Sequence, residues 1–247
     1  MNPYLPLDIA FENNGRRDVL TLTLLQDERE TILVDCGYPH FVEYLEQATA
    51  RHGVPLRSVT KLIATHHDMD HIGSLAALKR MLPNLEVIAH ETEKPYIEGS
   101  EKSLRVVQAE ATLDGLTGQE RAQAEGFISF LNAIEPTAVD RTVVHGERLP
   151  WCGGIRIVHT PGHMPGHISL YLPSSKTLIA ADAVVVEEGK LNIANPQYAL
   201  DLEEAVRSVR LLLDYEIDRL ICYHGGVYEG DVKQALLDLI QKYSEEG

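Results

Sequence analysis

Basic residues are scarce in this chain: 22 Lys and Arg stand against 37 Asp and Glu, a formal net charge of −15. Nucleic acids and anionic membrane surfaces are bound through clustered Lys and Arg, so this balance argues against both as partners. Cysteine is scarcer still. Cys36, Cys152 and Cys222 are odd in number and far apart, which offers no disulfide framework and suits a reducing compartment, the cytoplasm. No stretch approaches the ~18 uninterrupted apolar residues of a membrane span. Met1 to Asn14 has neither a basic start nor a continuous apolar run, because Asp8 and Glu12 interrupt it, so it does not read as a signal peptide. Internal repeats, low-complexity linkers and Ser/Gly hinges are also missing. What remains is 247 residues, 44% of them hydrophobic, enough to bury a substantial core in one large α/β domain or two small ones.

Leu20–Leu25 and Thr31–Cys36, apolar and β-branched around the polar run Gln26–Glu30, predict a hairpin. Phe41–His52 has helical spacing and stops at Gly53, while Val59–Thr65 is the nearly continuous apolar run of a strand buried on both faces. A helix over Ser74–Leu82, closed by Pro83, and a strand over Leu85–His90 follow. Strand patterns return at Arg141–Val144, Ile155–His159, Ile168–Leu172, Thr177–Ala181 and Arg219–Tyr223, with helices at Leu202–Leu213 and Val232–Tyr243. Strands clustered in both halves and mixed with helices predict two packed sheets with helices outside. The segment 91–140, rich in Glu, Gln and Ala with one amphipathic helix over Thr117–Ile134, reads as an insertion. It either caps a site or only covers core, and a helical insertion of this kind could form a homodimer contact.

The chemistry concentrates right after a buried strand. Thr65-His66-His67-Asp68-Met69-Asp70-His71-Ile72-Gly73 carries five potential metal ligands within six residues. A strand fixes the backbone while the following loop turns side chains to one point. In an extended segment residues two apart point the same way, so His66, Asp68 and Asp70 are expected on one side and His67 on the other. Each of these residues alone has an ordinary explanation, such as Asp70 capping the next helix. Two carboxylates this close, however, repel one another unless a cation lies between them. Downstream, His159-Thr160-Pro161-Gly162-His163-Met164-Pro165-Gly166-His167 makes a rigid turn that fixes His163. Asp182 ends an apolar run, and His224 follows the strand Arg219–Tyr223, with glycines allowing close backbone approach. Four strand ends carrying His or Asp imply one shared rim.

These motifs resemble the metallo-β-lactamase superfamily, whose signature is Thr-His-x-His-x-Asp-His, then a His in a Thr-Pro-Gly-His turn, a bridging Asp and a late His. The matching positions are Thr65, His66, Asp70, His71, His163, Asp182 and His224, and Val34-Asp35-Cys36-Gly37 resembles the family's early strand ending in Asp-x-Gly. The resemblance runs from about residue 20 to 225. It implies a single domain of the α/β (α+β) class, an αββα sandwich in four layers with the site on one edge between the sheets.

One position departs from the pattern: Asp68 stands where the family usually has its second His. Either Asp68 takes over as ligand or His67 swings in, and parity favours Asp68. The flavodiiron branch also uses a carboxylate there, for iron. An oxygen donor moves preference modestly from zinc toward iron or manganese.

The resemblance assigns His66, Asp68 and His163 to a first divalent metal, Asp70, His71 and His224 to a second, and Asp182 to a bridge, with Asp70 and Asp182 the catalytic carboxylates. Zinc is the expected metal. The implied activity is hydrolysis of an ester-like bond of a small molecule (lactone, thioester, carboxylic ester or amide) by a hydroxide shared between the metals. The alternatives are an iron redox enzyme like the persulfide dioxygenases, built on two His and one carboxylate, and a non-catalytic metal-binding member of the fold. Thr65 and Asp35 are candidates to support the ligands. Tyr198, Tyr223 and Trp151 are candidates to touch substrate. His167 stays outside the ligand set, and His40, His52, His90, His145 and His159 read as ordinary.

Overall fold

A computed structural model describes residues 3–13 and 15–245; Met1, Asn2 and Asn14, which belong to the N-terminal stretch read above, lie outside the described residues. The first sheet has six strands in sequence order: β1 (Tyr4–Asn13), β2 (Arg16–Gln26), β3 (Thr31–Val34), β4 (Lys61–Ala64), β5 (Glu86–His90) and β6 (Arg141–Val143). β1, β2 and β3 are antiparallel, whereas β3 to β6 run parallel. Parallel neighbours need crossovers. Here α1 (Val42–Ala50), the pair α2 (Met69–Ile72) and α3 (Leu75–Met81), and the segment 91–140 with α4 (Lys94–Ile97), α5 (Leu104–Ala111) and α6 (Gly118–Asn132) supply them.

The second sheet begins with β7 (Arg148–Leu149), β8 (Ile155–His159), β9 (Ile168–Leu172) and β10 (Thr177–Ala181). A separate ribbon of β11 (Val185–Glu187) and β12 (Lys190–Asn192) and then α7 (Leu202–Leu212) intervene. The sheet is completed by β13 (Arg219–Cys222) and β14 (Gly226–Val227), and α8 (Val232–Glu245) follows.

Side-chain alternation along these strands builds the layers. In β3, Ile32 and Val34 enter the core between the sheets while Leu33 faces the helices; in β4, Ile63 points inward and Leu62 and Ala64 outward. The same rule in β13 sends Ile221 inward and Leu220 and Cys222 outward. Leu45, Leu75 and Leu78 from α1 and α3 cover the outer face of the first sheet, and Val209, Leu212, Leu236 and Leu239 from α7 and α8 cover that of the second. The result is the expected αββα order. Strands buried on both faces explain the unbroken apolar runs in the sequence.

The predicted hairpin, crossover helices and main strands all form. β1, for which the sequence gives no strand pattern, is an edge strand that among the described residues pairs only with β2 and tolerates Pro6 for that reason. The sequence also predicts one helix in the segment 91–140, where α5 packs against α6 and only Leu131 of α6 is buried. The three cysteines are buried and free. Among the described residues no helix is long and apolar enough to cross a membrane.

Two glycines test this packing in opposite directions. Gly126 lies inside the exposed α6 with no atom near the position a Cβ would take, so Gly126→Ala should stabilise the protein by about 0.5–1 kcal/mol. At Gly162, with φ +128°, a Cβ would lie 2.2 Å from the Ala205 nitrogen, and Gly162→Ala should cost about 1–3 kcal/mol or more. Urea unfolding of the two variants beside the parent protein reads both signs.

Candidate metal centre

The carboxyl ends of β3 and β4 open the site. Asp35, in a left-handed turn with φ 60°, is fully buried and accepts from the Thr65 backbone N–H and hydroxyl, each at 2.8 Å. Its Oδ2 also lies 2.8 Å from His71 Nδ1. That contact fixes the ring and leaves His71 Nε2 facing the site with no hydrogen-bond partner. His66 is held likewise: Nδ1 contacts the Thr65 hydroxyl at 3.1 Å and Nε2 is unpartnered. Thr65 and Asp35 thus orient ligands, the role expected of groups behind a metal site.

Parity holds as far as Asp68 and then fails for a physical reason. The extended backbone ends there, because α2 begins at Met69, so Asp70 reaches the site from the first turn of a helix. No side-chain cap on α3 involves Asp70. His67 faces away: its ring stacks on Tyr96 at 4.5 Å, and its Nδ1 contacts Glu93. Asp68 faces inward, with Oδ2 2.9 Å from His163 Nε2 and 3.5 Å from His66 Nε2.

The second sheet contributes the other wall. Gly162 O accepts from the Asp201 N–H at 2.9 Å and His163 O from the Leu200 N–H, which anchors the turn carrying His163 on the start of α7. Asp201 in turn caps that helix by accepting from the Glu204 N–H at 2.8 Å. Asp182 follows β10 and donates its backbone N–H to His167 Nε2 at 3.0 Å, so His167 positions the carboxylate from behind. Asp182 Oδ1 is buried, unpartnered and 3.5 Å from His71 Nε2; its Oδ2 lies 3.6 Å from His224 Nε2 and 3.7 Å from His163 Nε2. His224 also lies 3.2 Å from Asp70 Oδ2. Gly225 is required beside it, since a Cβ there would fall 2.1 Å from the Val186 carbonyl.

Donor atoms therefore gather in three overlapping groups, each within 4.8 Å: His66, Asp68 and His163; His66, His71 and Asp182; Asp70, His71 and His224. All seven sequence-nominated ligands converge. Burial alone would raise the Asp182 carboxyl, but His224, His71 and His163 hold it well below the usual range. Burial would likewise raise Asp68, yet His163, His66 and Arg105 keep it ionised. Burial pushes His66 toward its neutral form. Ionised carboxylates and imidazole nitrogens buried without partners are the donor set of a divalent cation, and the residues present fit one.

Two participants were invisible in the sequence. Glu93, fully buried, accepts from the His67 N–H at 2.9 Å and the Gly166 N–H at 2.8 Å, tying both ligand loops together. Arg105 of α5 forks onto Asp68 at 2.9 and 2.6 Å. Neither stands in a motif, and each acquires its role only through the crossover between β5 and β6. Of the aromatic candidates, Tyr198 lines the cleft of about 450 Å³ that opens over the site. Tyr223 instead lies under His71, with ring centroids 3.9 Å apart and its hydroxyl on the Asp70 carbonyl. Trp151 lies elsewhere, between Lys61 and Arg141. Neither Tyr223 nor Trp151 lines the cleft, because the one is buried as a floor and the other packs with the core between the sheets. His90 stacks on His159 at 4.2 Å, apart from the ligand groups.

An αββα sandwich with His and Asp clustered at its strand ends in groups that could hold metal ions defines a class. A family model described as the metallo-beta-lactamase superfamily matches residues 21–224, and the chain belongs to that superfamily. It is 25% identical to the probable metallo-hydrolase YflN of Bacillus subtilis, over 91% of each chain. It is 28% identical to a hydroxyacylglutathione hydrolase of Rhizobium meliloti, over 51% of this chain and 34% of that protein. A solved metallo-beta-lactamase family protein of Thermus thermophilus superposes with a TM-score of 0.78 at 24% identity, over 99% of this chain and 80% of that one. With these relatives, the chain is a metal-dependent hydrolase.

Removing the charge behind His71 should weaken the centre without emptying the fold. Asp35→Asn is expected to lower zinc affinity by about 10–100-fold, measured by competition with a chromophoric chelator. Unchanged affinity would remove Asp35 from its supporting role.

Proposed function

We propose that this protein is a dinuclear metallo-hydrolase that cleaves an ester-like bond (lactone, thioester, carboxylic ester or amide) in a small, neutral substrate. The observation that carries the reading is the place of Asp182, whose carboxylate oxygens lie 3.5 Å from His71, 3.7 Å from His163 and 3.6 Å from His224, so that it can serve two cations at once. His66, Asp68 and His163 would hold one, Asp70, His71 and His224 the other, and Asp182 would lie between them. Two divalent cations, zinc in this reading and iron or manganese as alternatives, supply acidification of water toward a pKa of about 7 and polarisation of a carbonyl.

The chain's own groups do the rest. Asp182, set among His71, His163 and His224, would orient the attacking water through the cations it holds. Asp70, beside His224 and lining the cleft, is the carboxylate placed to take the proton released by the attacking water and hand it to the departing group. Tyr38, Met69, Phe127, Val185 and Tyr198 give the cleft an apolar, aromatic lining that excludes water and takes the acyl portion. Among the described residues its one lining Lys or Arg is Arg105, whose N–H groups are committed to Asp68, Gln108, the Tyr198 carbonyl and His163. That leaves no such cation to receive a substrate carboxylate or phosphate. Neutral esters and lactones fit this lining better than anionic ones. The segment 91–140 contributes Arg105 and Phe127 to the wall, and this reading makes it a cap on a single domain spanning residues 1–247. A cytoplasmic setting suits the three free thiols.

Elemental analysis of the purified protein, paired with a panel of lactones, thioesters, aryl esters and phosphoesters, tests the proposal. Two equivalents of metal with chelator-sensitive cleavage of the neutral esters or lactones is the expected result. One equivalent of iron with oxygen consumption would instead indicate redox chemistry at His66, Asp68 and His163. Metal with no turnover would indicate a binding protein. His71→Ala and Asp182→Ala should each reduce turnover by more than about 100-fold while keeping the far-ultraviolet circular dichroism of the parent. Full activity in both would contradict the assignment.

A further inference from the structure

We propose that Arg105 is a positioning residue that acts through Asp68 and His163 to make the two cation sites unequal, so that the group Asp70, His71 and His224 loads first and the group His66, Asp68 and His163 binds more weakly. The inference rests on the dinuclear reading above and adds an order to it.

The asymmetry lies in what stands next to each donor set. Arg105 is buried, and its guanidinium donates from Nε to Asp68 Oδ1 at 2.9 Å and from one terminal nitrogen to Asp68 Oδ2 at 2.6 Å. That same nitrogen lies 3.2 Å from His163 Nε2, the ring nitrogen that faces Asp68 and Asp182. The other terminal nitrogen is occupied by Gln108 and, at 2.6 Å, by the Tyr198 carbonyl. A guanidinium has five N–H groups, and four of them donate to these oxygens, so Arg105 is fixed where it stands. It occupies one lone-pair site on each Asp68 oxygen and places its charge beside the His163 nitrogen that a cation needs. Two of the three donors of the first group are thereby engaged, by a permanent positive charge that also repels a neighbouring cation in a site shielded from water.

The second group has the opposite neighbour. Behind His71 lies the Asp35 carboxylate at 2.8 Å, which adds negative charge and raises the donor strength of the ring, while His71 Nε2 is free of partners. One set of ligands is thus backed by an anion and the other is faced by a cation. Arg105 also joins three elements at this point: α5 of the insertion, the loop at Tyr198, and the ligand loop at Asp68. Occupancy of the weaker site is therefore tied to the seating of the segment 91–140.

The test is stepwise titration of the apo full-length chain with cobalt(II), followed by calorimetry and by the visible d–d spectrum. The parent protein should show two classes of site separated by at least about tenfold in affinity. His163→Ala should abolish the weaker class and keep the tighter one with its spectrum, and His224→Ala should do the reverse. Arg105→Gln should tighten the weaker class by several-fold and leave the tighter class in place, with Arg105→Lys in between. A merely structural role would weaken both classes together. Equal classes in the parent, loss of the tighter class in His163→Ala, or an Arg105→Gln protein whose weaker class is unchanged or weakened each overturn the proposal. The first two measurements decide the matter even if the Arg105 variants fail to fold. Failure to bind cobalt(II) at all would overturn the dinuclear reading as well, whereas two equal sites with ester cleavage would overturn this inference alone.

Discussion

The Asp182 carboxylate is buried where three imidazole rings meet, and the rest of the architecture can be read as the means of keeping it there. A lone ionised carboxylate this far from water is costly, and further carboxylates at Asp68 and Asp70 raise that cost. The imidazoles around it offset part of the charge. Unpartnered nitrogens on His66 and His71 show that the offset by the protein alone is incomplete. In the proposed reading a pair of cations completes the balance, which would make metal binding part of the folded state's own electrostatics.

Holding these groups in one place requires both sheets. β3 and β4 deliver Asp35, Thr65 and His66, whereas β10 and β13 deliver Asp182 and His224. The sheets are stitched at the site itself: Ile168 N–H donates to the Thr65 carbonyl at 3.1 Å and Thr21 N–H to the Tyr223 carbonyl at 2.9 Å. Glu93 adds a buried carboxylate that ties the ligand loop after β4 to the Pro-Gly turn before β9. Ligand geometry is therefore a property of the sandwich, and a shift of either sheet would move half the donor set.

Most of this frame was legible in the sequence because its signals are local. Ile63 and Ile221 sit in short apolar runs, and a strand buried on both faces leaves that trace whatever its neighbours are. The seven candidate ligands were legible because each stands close after a strand end, in the His66–His71 cluster or at Asp182 and His224, or in a rigid Pro-Gly turn. What escaped has a common cause. Arg105 and Glu93 reach the centre from the crossover 91–140, and no periodicity records which strand end a crossover residue will meet. Asp70 was placed on the right side for the wrong reason, since the extended backbone stops at Asp68 and a helical turn carries the next ligand. β1 escaped because Pro6 and the interspersed carboxylates of an edge strand blur its alternation.

In this reading the buried charge around Asp182 exists to hold two cations. A crystal of the protein grown with excess zinc, with anomalous scattering recorded at the zinc edge, addresses it directly. Two anomalous peaks are expected on either side of Asp182, one beside His66 and His163 and the other beside His71 and His224. A map with no peak at these side chains under saturating zinc, or with Asp182 turned away from both peaks, would rule this arrangement out.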